Sequence, residues 1–188
     1  MLTVQVEGNG PAWAMRLIRH TMAEADVDDG GSPLTHVTVH WEERPRFLHS
    51  DGLSYNEPFD TIEIHAGGSH KDRVWVVLHE CAHVIVGTGH GHNKHFFRYA
   101  YPLYLKHGIQ PAYFIWRDAY YIDALNVADE MGYTRITGRL RNMRERYLRN
   151  FTKYSQENAQ VQDDMKGFKL IGKLLLPQGD NDARTDQS

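Results

Sequence analysis

The sequence has a single cysteine, Cys81, so no disulfide can form within the chain, and a reducing compartment is expected. It lacks any apolar run long enough to span a bilayer. Met1 to Gly10 shows no basic stretch followed by an apolar one, so no signal peptide is expected. Neither sign of charge dominates: 21 basic and 24 acidic residues leave a formal net charge of -3. That balance excludes a dedicated nucleic-acid or membrane binder at the level of the whole chain and leaves room only for local patches. Internal repeats, Ser/Pro linkers and a cysteine-rich zinc module are also missing. These absences point to a cytoplasmic protein with no membrane partner.

What is present is ordinary in bulk and unusual in one residue type. With 188 residues, 41% of them hydrophobic, the chain can bury a core of its own. Twelve histidines is a high number for this length, and His65, His70, His79, His83, His90, His92 and His95 crowd one segment. Histidine is the commonest metal ligand among side chains.

The patterning predicts the elements in order. Leu2 to Val6 alternates as a half-buried strand does, and Trp13, Leu17, Ile18 and Met22 recur at helical spacing over Pro11 to Ala25. Asp26 to Pro33 reads as a loop. Leu34 to Trp41 is a strand, and Pro45, Asp51-Gly52, Asn56 and Pro58 mark turns, with a short strand around Phe47. Thr61 to His65 is another strand. Lys71 to Val86 and Asn93 to Lys106 are helices, closed by Gly87 and Gly108. Tyr113 to Met131 is read as one helix. Ile136, Leu140, Met143, Tyr147, Phe151 and Tyr154 then describe a long amphipathic one. Residues after Pro177 are polar and expected to be disordered. This order predicts an α+β fold with helices over a small, mostly antiparallel sheet.

The chemistry lies in His79-Glu80-Cys81-Ala82-His83, an H-E-x-x-H motif inside the apolar run that begins at Val74. On a helix the two histidines sit one turn apart on one face and can grip one zinc ion. Glu80 lies beside them to take a proton from a metal-bound water. Buried polar groups without partners cost roughly 1–3 kcal/mol each, and a metal ion would satisfy all three. Cys81 points off that face and reads as a small core residue. A third ligand must come from elsewhere. The spacing H-E-x-x-H-x-x-G-x-x-H is missed by one residue at both Gly87 and His90, and nothing around Glu130 recommends it. Spacing leaves His90, His92 and His95 open.

His92-Asn93-Lys94-His95-Phe96 supplies an H-x-x-x-F that opens the next helix. H-E-x-A-H, a Gly/His loop and then H-x-x-x-F resembles the SprT-like and WLM-type zinc metallopeptidases, over about Leu34 to His107. The chain is expected to divide into a zincin-like metal-binding core over residues 1–110, a helical extension packed on it over 111–160 and a C-terminal segment over 161–188, disordered after about 177. The resemblance implies zinc held by His79, His83 and His92, with Glu80 as general base. It also implies that Phe96 pins the second helix and that Thr61 to His65 is the edge strand beside the cleft. The activity implied is hydrolysis of peptide bonds in a protein or peptide substrate. His65, His70, His95 and Tyr99 are candidate oxyanion donors, and Asp118 and Asp123 are candidate supports for the ligand rings.

Two other readings stay open: a zinc-stabilised binding or structural module without proteolysis, and a zinc hydrolase acting on a non-peptide bond. Arg135, Arg139, Arg141, Arg144, Arg146, Arg149 and Lys153 crowd one helix. The plain reading is a solvated face, and the functional alternative is a surface for DNA or an acidic partner. Tyr113, Phe114, Trp116, Tyr120 and Tyr121 read as packing between helices, with a substrate wall or a partner face as the functional alternative.

Overall fold

The structure, a computed structural model, describes residues 5–25, 36–45, 51–55, 60–87 and 90–157. The strand expected near Phe47, the loop over Asp26 to Pro33 and the tail after Pro177 lie outside the described residues. The chain divides into two compact units, Met1–Arg139 and Leu140–Ser188.

The first unit has an α+β architecture. Its strands are β1 (Gln5–Gly8), β2 (His36–Glu43), β3 (Asp51–Tyr55) and β4 (Asp60–Ala66), joined in the order β1-β2-β4-β3. The sheet is mixed, which corrects the expectation of a mostly antiparallel one. β1 runs parallel to β2 (Val6 opposite Val37), and β2 runs parallel to β4 (Val39 opposite Ile62). Only β3 is antiparallel, with Ser54 opposite Ile62. The reason lies in the connections. Helix α1 (Ala12–Glu24) carries the chain back between β1 and β2, and a helical crossover makes its two strands parallel. β4 then enters between β2 and β3, leaving β3 at the edge.

Alternation along the strands sets the core. Val37, Val39 and Trp41 from β2 and Ile62, Ile64 and Ala66 from β4 are buried. They meet Ala14, Met15, Ile18 and Met22 of α1, and Val76, Val77, Cys81 and Val84 of α2 (His70–Val86). Each fully buried aliphatic side chain contributes about 1.5–3 kcal/mol. Cys81 thus faces the core and not the histidines, as its position on the helix predicts.

Local chemistry starts and stops α2. Ser69 Oγ accepts from Asp72 N–H at 3.2 Å while the Asp72 carboxylate accepts from Ser69 N–H at 2.8 Å, a capping box worth about 1 kcal/mol. Asp72 also accepts from the Tyr113 hydroxyl and lies 3.8 Å from Arg117, which ties the start of α2 to α4 (Pro111–Arg117).

α3 (Lys94–Lys106) is capped by Asn93, whose Oδ1 accepts from His95 N–H and Phe96 N–H at 2.9 and 3.2 Å. The single helix expected over Tyr113 to Met131 is two, α4 and α5 (Ile122–Glu130). Between them Tyr121 N–H bonds Asp118 C=O at 2.9 Å, and Asp118 and Ala119 drop into the interior. No Gly or Pro marks that break. Burial of Phe114 and Ile115 on one side, and of Ala124, Leu125, Val127 and Ala128 on the other, imposes it. The long helix is present as α6 (Thr134–Glu157), with Arg135, Arg139, Arg146 and Arg149 exposed. Among the described residues no helix is long and apolar enough to cross a membrane.

Candidate metal centre

His79 and His83 lie one turn apart on α2, each only 7% exposed, with ring centroids 4.9 Å apart. His92 comes from the turn before α3. Gly91 there holds φ +55°, a left-handed backbone that a glycine enters without strain, and the Asn93 cap fixes where His92 leaves the helix. His92 Nε2 lies 2.9 Å from His79 Nε2 and 3.2 Å from His83 Nε2. One nitrogen from each ring falls within 4.8 Å of the others, close enough for all three to bind one metal ion.

The donor set passes a simple test of fit. A tetrahedral ion with metal–nitrogen bonds of about 2.0–2.1 Å separates its ligand nitrogens by about 3.3 Å. Ring nitrogens facing one another at 2.9 and 3.2 Å need a proton or a cation between them. The rings are poor holders of extra protons. Burial, then the neighbouring rings, pushes His79 well below the usual histidine range, burial and His92 push His83 down to about 4, and burial alone takes His92 to about 4. At neutral pH all three offer lone pairs.

Aromatic packing fixes the rings. Phe96 is fully buried, stacks on His83 at 4.1 Å and presents its edge to His79 and His92 at 4.9 and 5.2 Å. It pins α3 to α2, the role the H-x-x-x-F spacing implies. Tyr121 stacks on His92 at 4.1 Å with planes 12° apart, and Trp75 lies 5.0 Å from His79. His79 Nδ1 lies 2.9 Å from Tyr104 Oη.

Glu80 is 4% exposed and lies against β3. The Ser54 hydroxyl donates to its carboxylate, and a Cβ added at Gly52 would come within 2.5 Å of Glu80 Cγ and Oε1. Gly52 is therefore required by close approach, not by a turn. Burial pushes the Glu80 carboxyl up to about 8, aided by Asp51 and opposed by the Ser54 hydrogen bond. Two expectations are corrected here. Asp51-Gly52 is strand and not turn, and the edge strand beside Glu80 is β3 while β4 is interior. The signal was available: a glycine inside an alternating stretch, Asp51 to Tyr55, marks close approach of another group.

The remaining candidates lie elsewhere. His90 and His95 are exposed and lie against one another, tilted, with ring centroids 4.6 Å apart. Glu130 is exposed and pairs with Arg98 and Lys94 at 3.0 and 3.6 Å. His65 pairs with Glu42 at 3.6 Å, and His70 packs edge-on against Trp13. Tyr99 and Asp123 are half-buried. Asp118 is 1% exposed and its Oδ2 has no hydrogen-bond partner among the described residues. Burial holds the Asp118 carboxyl well above its usual range, with Arg117 opposing. Tyr121, read from the sequence as a packing residue, and Tyr104 touch the trio directly. The clue for Tyr104 was that a buried phenol must find a partner for its hydroxyl. Comparison with protein-family models, with curated proteins and with solved structures found no match to this chain.

Proposed function

We propose that this chain is a zinc-dependent metallopeptidase of the SprT-like kind, hydrolysing peptide bonds in a protein or peptide substrate. The observation that carries the reading is the convergence of three neutral imidazoles beside a buried carboxyl. An all-nitrogen set of three protein ligands suits zinc and matches the ligand number of catalytic rather than structural zinc sites. His79, His83 and His92 would hold the ion, which when bound supplies Lewis acidity toward a water and a substrate carbonyl.

The chain's own part is proton handling and placement. Glu80 is the general base: a carboxylate oxygen accepts the proton of the attacking water and later delivers it to the leaving amine nitrogen. Burial raises the affinity of this carboxyl for a proton, the direction a general base needs. Gly52 leaves room for the carboxyl, and Ser54 orients it. Phe96 and Tyr121 keep the imidazoles from swinging out of register.

The test is Glu80→Gln, assayed on casein and for self-cleavage with a chelator control. The variant is expected to keep one zinc per chain and to lose hydrolysis by about 10²–10⁴-fold, the usual share of a general acid–base group. Undiminished cleavage by the variant would refute the mechanism. Bound zinc without any cleavage by the parent chain would instead favour a zinc-stabilised module. Cleavage of a non-peptide substrate panel alone would favour a different hydrolase.

A further inference from the structure

Both ring nitrogens of His79 are engaged. Nε2 faces His92 at 2.9 Å, and Nδ1 lies 2.9 Å from the hydroxyl of Tyr104, which is itself fully buried. A neutral imidazole carries one proton. With that proton on Nε2, an N–H would point into the trio and the lone pair that an ion needs would be gone. With it on Nδ1, His79 donates to the phenol oxygen and Nε2 stays open. A phenol that accepts at Nδ1 therefore selects the tautomer that leaves Nε2 open.

A buried carboxyl lies near enough to act on that phenol. Asp118 sits at the end of α4 with Oδ2 lacking a donor among the described residues. When ionised, that carboxyl raises the proton affinity of both Tyr104 and Tyr101. Tyr101 lies three residues earlier on α3, is equally buried, and its hydroxyl has no hydrogen-bond partner among the described residues. Two phenols of the same helix therefore share one environment, and only one of them meets the trio.

We propose that Tyr104 is a positioning residue for the metal centre: its phenol oxygen accepts the Nδ1 proton of His79 and so presents the Nε2 lone pair to the ion. Partners of this kind on a ligand imidazole fix its orientation and raise its basicity, and losing one weakens metal binding about 10–100-fold. The role rests on the metal reading of the trio and is independent of whether the centre cleaves peptides.

The experiment is zinc affinity of the full chain by competition with a chromogenic chelator, in the parent, in Tyr104→Phe and in Tyr101→Phe. Tyr104→Phe is expected to bind zinc about 10–100-fold more weakly, and Tyr101→Phe as tightly as the parent. Equal affinity of Tyr104→Phe and the parent overturns the role, as does an equal loss in both variants. A second measurement needs no substitution: long-range nitrogen–proton spectra of the zinc-loaded parent should place the His79 proton on Nδ1. A proton on Nε2 overturns the proposal even where the Phe variant fails to fold. A parent chain that binds no zinc would sink the metal reading itself, an outcome distinct from the others.

Discussion

His79, His83 and His92 differ from their neighbours His90 and His95 in nothing that residue type records. All five lie within one helix, one turn and the start of the next helix. The first three are turned inward by α2 and the His92 turn and held by Phe96, Tyr121 and Tyr104, with His79 and His83 buried and His92 half-buried. The other two stand exposed, their rings tilted against each other. The difference teaches that a ligand is made by packing that aims a lone pair, more than by the presence of an imidazole.

The sharpest way to break this contrast is to remove one member of each group. His83→Ala is expected to abolish zinc binding and, with it, the ligand-linked stabilisation of about 2.7 kcal/mol that an ion at a hundred times its dissociation constant provides. His90→Ala and His95→Ala should keep one zinc per chain by elemental analysis. Loss of zinc from either exposed variant would erase the distinction.

Next in size comes Gly52→Ala. A methyl group 2.5 Å from the Glu80 side chain must displace the carboxyl or β3. Misplacing a reacting group by about 1 Å costs on the order of 10²-fold in rate. Zinc content should stay at the parent level while peptide hydrolysis falls; a fully active Ala variant would place the working carboxylate elsewhere.

Protonation of the buried groups gives a graded test in chelator-stripped protein. His79, held well below the usual histidine range, and His83 and His92, at about 4 when folded, all take up protons on unfolding below the ordinary value of 6.5; the three outweigh the two raised carboxyls, so stability should rise with pH across that window. Glu80, held at about 8, binds its proton more tightly in the folded state, so its contribution falls as pH rises from 4.5 to 8. Asp118, also raised, acts in the same direction as Glu80. Denaturant melts should therefore show a maximum near pH 6.5, about the ordinary histidine value, and Glu80→Gln should flatten the alkaline side. A parent curve that only rises from pH 6.5 to 8 would contradict the burial of Glu80.

The smallest effect belongs to α6. Arg146→Glu and Arg149→Glu change an exposed face, and stability should move by no more than about 0.5 kcal/mol. A salt-dependent gel shift with DNA that weakens in these variants would make the arginines a binding surface instead of a solvated one.

How much of this was legible varied by the range of the interaction concerned. The motif helix could be read because Val74 to Val86 is apolar and Gly87 ends it, and α3 because Asn93 caps it. Both depend on neighbours a few residues away. β3 was read as a turn because Asp-Gly is a local turn signal, while the reason for Gly52 is a carboxyl 28 residues further along. The break at Asp118 carries no local breaker at all. The sheet was expected to be antiparallel because short alternating strands do not reveal their neighbours in space.

Residue order alone determined the spacing that puts His79 and His83 on one face and the caps at Ser69 and Asn93. These follow from the 3.6-residue period and from side chains bonding the nearest backbone. Only the tertiary structure decided that His92 and not His90 joins the pair, that Glu80 lies against β3, and that Tyr104 meets His79. Those choices depend on which surfaces exclude water together, and that free energy exists only once the elements have packed.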